Sequence, residues 1–300
     1  MSGVSKLSEI SRVLGDRVLL FFEDICRSEG VIGLIIYGSL IRGDYVEGVS
    51  DVNIAVIGSG EIDRKRLWNL LLFDSRISPI FLSRDKLVSI CMEGDLLCHS
   101  LFKESIIYCG SRNLRKIPEV YGPRVTPRTV EQAKTLALDT LSLAIEGYLQ
   151  RDSIKLVRNA YHSLRYTITY YTSKSLSTVP LRDKDTIDLC IRIAPSNLCR
   201  FFSDVRAMRI SRQELKLAEV ETLLHLVTTS LKVTLPPISS LMLALKNLGG
   251  AKPIALRIKI IDRKPYGLRA HYFLVANIPA KNKIVEAEVS WDGMNVLRED

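Results

Sequence analysis

Two short stretches hold the side chains whose types and spacing could do chemistry. They are Tyr37-Gly38-Ser39-Leu40-Ile41-Arg42-Gly43-Asp44 and Ser50-Asp51-Val52-Asn53-Ile54-Ala55-Val56-Ile57. The first closes an apolar run, 31–37, with a Gly-Ser turn, and the second opens another apolar run behind a carboxylate. A glycine at a strand end lets the backbone turn sharply and approach a ligand closely. Ser39 adds a hydroxyl and an N–H where a short helical turn begins, a combination suited to phosphate oxygens. Residues i and i+2 of a strand share a face, so positions 51 and 53 aim at one cleft.

This pattern resembles the DNA-polymerase-beta-type nucleotidyltransferases, in the minimal and aminoglycoside-type branch of that superfamily. There a Gly-Ser turn holds a nucleoside triphosphate, and an Asp-x-Asp pair on the next strand binds magnesium. The resemblance implies Gly38, Ser39 and Arg42 as nucleotide-binding residues. It implies Asp51 and Asn53 as catalytic residues and metal ligands, with Mg2+ (or Mn2+ in its place) as cofactor. The implied reaction moves a nucleoside monophosphate from the triphosphate to an acceptor hydroxyl and releases pyrophosphate. The chain departs from the pattern at two points. Asn53 stands where the second carboxylate is expected, and an amide carbonyl is a neutral donor. The family's third carboxylate falls on a strand read at 77–82, which carries Ser78 and Pro79. Asp74 and Asp85 flank that strand, the first in a turn and the second at the start of a helix. The alternative reading is a catalytically inactive nucleotide-binding or antitoxin-like regulatory protein.

The elements that position these residues follow from hydrophobic periodicity. Leu7, Ile10, Leu14, Val18, Phe21 and Ile25 recur at helical spacing, which predicts one long amphipathic helix ahead of the first strand. A helix is expected over 63–73, another over 96–103, and a closing strand over 104–110 that suits the same family. Residues 1–110 thus read as an α/β nucleotidyltransferase-like domain with a mixed sheet. Residues 111–128 read as an irregular basic linker, with Arg112, Arg115, Lys116, Arg124 and Arg128 against Glu119.

A helical domain is expected over 129–248. Its helices are read at 129–150, 153–171, 183–202 and 212–235, the last stopped by Pro236-Pro237. The layout resembles the bundles that follow such domains in aminoglycoside- and antitoxin-like nucleotidyltransferases, and this likeness implies no site residues. Arg158 and His162 are similar to the Arg-…-His ribonuclease motif of HEPN domains, with three intervening residues in place of four to six. His99, His225 and His271 show no metal-ligand pattern. A small antiparallel β appendage is expected over 249–300, with strands at 254–261, 270–278, 284–291 and 294–297 and a hairpin signal at Asp292-Gly293.

Composition bounds the partners. The 300 residues are 47% apolar, enough for packed cores in two domains. No apolar run reaches the roughly 18 residues of a membrane-spanning helix, and no secretory leader is read, so no membrane partner and a soluble, cytoplasmic protein are expected. Six cysteines without a CxxC pair suggest neither a zinc site nor a disulfide framework. The net charge of +9 is uneven: 1–110 hold 12 Lys and Arg against 15 Asp and Glu, so the remainder is strongly basic. That balance suits a polyanionic partner: nucleoside triphosphate at the turn, nucleic acid along the linker and C-terminal segment, and an acceptor of unspecified identity.

Overall fold

The structure is a computed structural model that describes residues 10–60, 74–110, 112–264, 267–281 and 283–299. The helix expected over 63–73 lies outside the described residues. The chain divides into two compact units, 1–132 with 176–186, and 133–175 with 187–300.

The first unit is built on a four-stranded mixed sheet, β1 (Val31–Tyr37), β2 (Val52–Gly58), β3 (Ile77–Ser83) and β4 (Ser105–Gly110), in the order β3-β2-β1-β4. β1 is antiparallel to both β2 and β4, and β2 runs parallel to β3. The apolar runs supply side chains to both faces, as a doubly covered sheet requires. Leu34, Ile36, Val52, Ile54 and Val56 pack with Phe22 and Ile25 of helix α1 (Asp16–Cys26). Ile35, Ala55 and Ile57 pack on the other face with Leu87, Leu101, Leu114 and Ile117. These come from α3 (Arg84–Glu93), α4 (Leu96–Lys103) and α5 (Arg112–Tyr121), while α2 (Ser39–Arg42) is the single turn after β1.

Three expectations are corrected here. The opening helix is not continuous: residues 10–14 are helical, Gly15 takes φ 82°, and α1 starts afresh at Asp16. A left-handed glycine redirects the chain while Ile10, Leu14 and Val18 all stay buried, so periodicity alone does not reveal the break. The basic connector contains a helix, α5, despite Pro118 within it. Burial of Leu114 and Ile117 on one face outweighs the hydrogen bond that proline removes. The cysteines are not free thiols: Cys26–Cys109, Cys91–Cys98 and Cys190–Cys199 are disulfides, leaving no free cysteine. Pairs separated by 83, 7 and 9 residues form no spacing motif that could announce them.

The second unit packs helices against a second sheet. The helices are α6 (Pro127–Gln150), α7 (Ser153–Leu176), α8 (Asp183–Ile193), α9 (Ser196–Ser211), α10 (Leu217–Leu231) and α11 (Ile238–Asn247). The expected third helix is two: the chain breaks at Ala194-Pro195, and Cys190–Cys199 bridges the break. The expected fourth helix is shorter at both ends, because Arg212 and Lys232 adopt left-handed conformations that terminate α9 and α10. α11 fills the stretch after Pro236-Pro237 that carried no sequence assignment.

The second sheet is a meander of β6 (Lys252–Lys264), β7 (Gly267–Ile278), β8 (Lys283–Ser290) and β9 (Gly293–Glu299), with two-residue β5 (Val233–Thr234) beside β7. β6, β7 and β9 are longer than expected, β8 has the expected length, and all four fall where expected. Leu256, Ile258, Tyr272, Leu274, Val285, Ala287 and Val289 share one hydrophobic cluster with α6, α7, α9, α10 and α11. β6 is the edge strand next to α6, and α6 caps its first residues. Glu146 Oε2 accepts from Leu256 N at 2.7 Å, and Gln150 Nε2 donates to Pro253 O and Ile254 O at 3.2 and 3.1 Å. Lys155 Nζ pairs with Glu146 and donates to Gln150 Oε1 at 3.0 Å, fixing both caps. Blocked backbone groups keep an edge strand from recruiting another strand. Among the described residues, no helix is long and apolar enough to cross a membrane.

Candidate functional site

The motif residues gather at one end of the first sheet. β1 ends at Tyr37, whose antiparallel partners are Asn53 on β2 and Ser105 on β4. Asn53 is in turn level with Ser78 on β3. Paired residues point to the same face, so Ser78, Asn53, Tyr37 and Ser105 form one row across all four strands. Ser78, where the resemblance expects an acid, is thus directly beside Asn53. The row is neutral throughout.

Gly38 follows this row with φ 91° and caps α2. A Cβ added to Gly38 would lie 2.6 Å from Asn53 Nδ2. Glycine is therefore required twice over, by the backbone angle and by the Asn53 amide packed against it. Ser39 is buried in the turn, and its carbonyl accepts from Gly43 N and Asp44 N. Gly43 takes φ 81°, which ends α2 after one turn. Arg42 Nε then donates to Asp44 Oδ2 at 3.2 Å, with the two side chains only 12% and 6% exposed. The Arg-Gly-Asp turn is thus tied by its own ion pair. Val46 N donates to Ser50 Oγ at 3.0 Å, and Ser50 N to Val46 O, closing the loop that delivers Asp51.

Asp51 stands exposed just before β2, two residues ahead of Asn53. The turn and Asn53 are in contact, and Asp51 is at the mouth beyond them. Tyr45 sits among nearby charges: burial pushes its phenol up, Arg76 pulls it down, and Glu47, Asp74 and Asp51 push it up again. Asp74 is held by Arg76 through both carboxylate oxygens, at 2.6 to 3.2 Å, and the bond from the Arg76 side chain keeps its carboxyl below the usual range. Arg76 also donates to Val13 O and Leu14 O, so this pair secures the helical residues before Gly15. Asp85 lies in the first turn of α3, behind the Ser83 cap that accepts from Lys86 N. Neither acid joins the row. Among the described residues, no group of three or more His, Cys, Asp or Glu side chains could hold a metal ion by itself.

Other polar features lie outside the motif. His99 is fully buried, with Nε2 3.2 Å from Arg124 O, and its pKa falls to about 4 because burial penalises the cation and Lys103 adds repulsion. Arg124 in turn donates to Met92 O, and Thr126 and Thr129 donate to Glu93 O and Gly94 O, so the segment after α5 is clamped on the α3–α4 turn. Arg158 and His162 occur on α7, where His162 contacts the rings of Tyr161 and Tyr166. His271 Nδ1 is 2.6 Å from Glu288 Oε1 across β7 and β8. A cleft of about 470 Å³ opens between α9 and α10 beside Phe201, Asp204, Glu221 and His225, and holds none of the motif residues.

No family model matches this chain, and no curated protein matches it. Among solved structures, it is similar to the nucleotidyltransferase-like protein from Exiguobacterium sibiricum 255-15, whose crystal structure was determined at 1.90 Å resolution. The identity is 13% and the TM-score 0.27, with 86% of this chain and 98% of that chain covered.

Proposed function

We propose that the first unit is a nucleotidyltransferase-fold module that binds a magnesium-loaded nucleoside triphosphate at the Gly38–Ser39 turn and passes its nucleoside monophosphate to an acceptor hydroxyl. The observation that carries this reading is the arrangement at the end of β1. A glycine with φ 91° leads into a one-turn helix, and the Asn53 amide lies against it on the neighbouring strand. In the reaction, the acceptor oxygen bonds to the α-phosphorus while the bond to the α,β-bridging oxygen breaks; pyrophosphate leaves and the hydroxyl proton passes to solvent.

The donor set fits magnesium of one kind. Mg2+ is commonly held by one or two carboxylates with the remaining positions filled by water and substrate phosphates. Asp51 offers the carboxylate, and Asn53 a carbonyl oxygen two residues on. Asp51 and Asn53 would hold such an ion, which would supply charge neutralisation at the α-phosphate and the leaving pyrophosphate. The chain's own part is positional. Gly38 admits the phosphates to the backbone, Ser39 supplies hydroxyl and N–H, and the Arg42–Asp44 pair holds the turn in shape. In this reading Arg42 acts on the phosphates chiefly through that turn.

A second reading, nucleotide binding without turnover in a sensor or antitoxin-like regulator, draws on the neutral row. Ser78 beside Asn53, with Asp74 engaged by Arg76, leaves Asp51 as the acid of the motif. Calorimetric titration of ATP, GTP, CTP and UTP, with and without Mg2+, into wild type and Asp51→Ala tests both readings. The expected result is Mg2+-dependent binding of at least one triphosphate, weakened at least about tenfold in the variant, which corresponds to ~1.4 kcal/mol. Pyrophosphate release in the presence of candidate acceptors selects the first reading. Binding with no release selects the second, and absence of binding to all four triphosphates removes both.

A further inference from the structure

The second sheet ends differently at its two sides. At the start of β6 three backbone groups, Pro253 O, Ile254 O and Leu256 N, are taken by Gln150 and Glu146. At β9, among the described residues, the strand pairs with β8 alone. The other edge of β9 presents a strand's row of N–H and C=O groups to solvent. The apolar layer between helices and sheet also reaches this border. Met294 and Val296 are level with the buried Val289 and Ala287, on the core side of the sheet, and Val296 is 44% exposed. α11, which packs against β8 and β9, leaves Met242 and Leu243 exposed at 45% and 57%.

We propose that this border is a homodimer interface, in which β9 pairs antiparallel with β9 of a second copy about a two-fold axis. The occupant is named by self-complementarity, the condition that an isologous contact must meet. With the axis at Asn295, Met294 falls opposite Val296 twice, so apolar meets apolar on the core side. Asn295 meets Asn295; Asp292 lies in the hairpin turn, where Arg269 of the same chain donates to it at 3.0 Å, and Arg298 is level with Glu286 of β8. Leu297 is the extra residue of a bulge, because Ala287 pairs Val296 and Glu286 pairs Arg298. It falls opposite Gly293, where no side chain obstructs it. Apolar side chains set directly across a strand pair are a stabilising combination. A pairing of five residues, 293–297, from each copy is smaller than a standard interface, and association in the micromolar range is expected, with the exposed side of α11 contributing to the contact.

Sedimentation and light scattering of the full chain, from about 1 to about 100 µM, test the proposal. The expected result is a mass that rises from one 33.8 kDa chain to twice that value. Val296→Lys, at a side chain already open to solvent, is expected to weaken association at least tenfold while the far-UV dichroism stays that of wild type. On wild type, amide exchange at residues 294–298 is expected to slow as concentration rises. A monomer throughout the range overturns the proposal. So does a dimer that Val296→Lys leaves unchanged, or β9 amides whose exchange ignores concentration.

Discussion

An amide at position 53 does two things that a carboxylate would not: it lays an NH2 group against Gly38 and leaves the row across the first sheet without charge. Asn53→Asp replaces a neutral donor with an anion two residues from Asp51. Magnesium affinity is then expected to rise by about tenfold in calorimetric titration, since carboxylates are the ligands this ion prefers. Unchanged affinity would place residues 51 and 53 outside any metal site. His99 gives a prediction in pH. Its native pKa is about 4 against an ordinary 6.5, so between those values the unfolded chain binds a proton that the folded chain refuses. Stability is therefore full above pH 6.5 and declines as pH falls toward 4, by up to about 3 kcal/mol. His99→Gln is expected to flatten that slope in urea titrations from pH 4 to pH 7; an unaltered slope would mean another group carries it. The Gly38–Ser39 turn and Asp51 are legible in the sequence because strand ends are marked by glycine and by loss of apolar character. The ties of Arg42 to Asp44 and of Arg76 to Asp74 are not, because such short-range pairing depends on turn geometry that no residue pattern encodes.

Strands and helices with unbroken periodicity stand close to where the apolar runs place them. β1 occupies the apolar run 31–37, and the C-terminal meander follows its alternation and the Asp-Gly hairpin signal. Breaks are where sequence reading loses them. Gly15 interrupts a helical face without interrupting its burial, and Pro195 divides a stretch whose apolar residues continue on both sides. Pro118 errs in the opposite sense, as a helix breaker inside a helix held by Leu114 and Ile117. The cap that α6 places on β6 combines residues more than 100 apart in the chain, so it too has no local signature. Its weight is testable. Glu146→Ala removes the acceptor for both Leu256 N and the Lys155 ammonium, and leaves a buried N–H without a partner. A loss of about 2–3 kcal/mol in urea unfolding of the second unit is expected. A loss below about 0.5 kcal/mol would show that the sheet does not depend on this cap.

At the scale of the molecule, the cysteines were the least legible feature. Cys26–Cys109 joins α1 to β4 across a sequence separation of 83, while the other two disulfides close short loops. On a chain-entropy account the long loop contributes ~4–5 kcal/mol and each short one ~2–3 kcal/mol. Reduction is therefore expected to lower the melting temperature of the first unit more than that of the second, as resolved by calorimetry with and without a thiol reductant. Equal shifts in both units would contradict that ranking. Disulfides of this kind persist in oxidising surroundings, and also inside the cells of hyperthermophiles. The uneven charge of the chain, by contrast, was visible from composition alone. The asymmetric borders of the second sheet carry one more consequence. A sheet open at both sides can add copies without limit, as fibrils do. At β6 Glu146 and Gln150 already occupy Leu256 N, Pro253 O and Ile254 O, so over that stretch an incoming strand meets fewer open backbone groups than at β9.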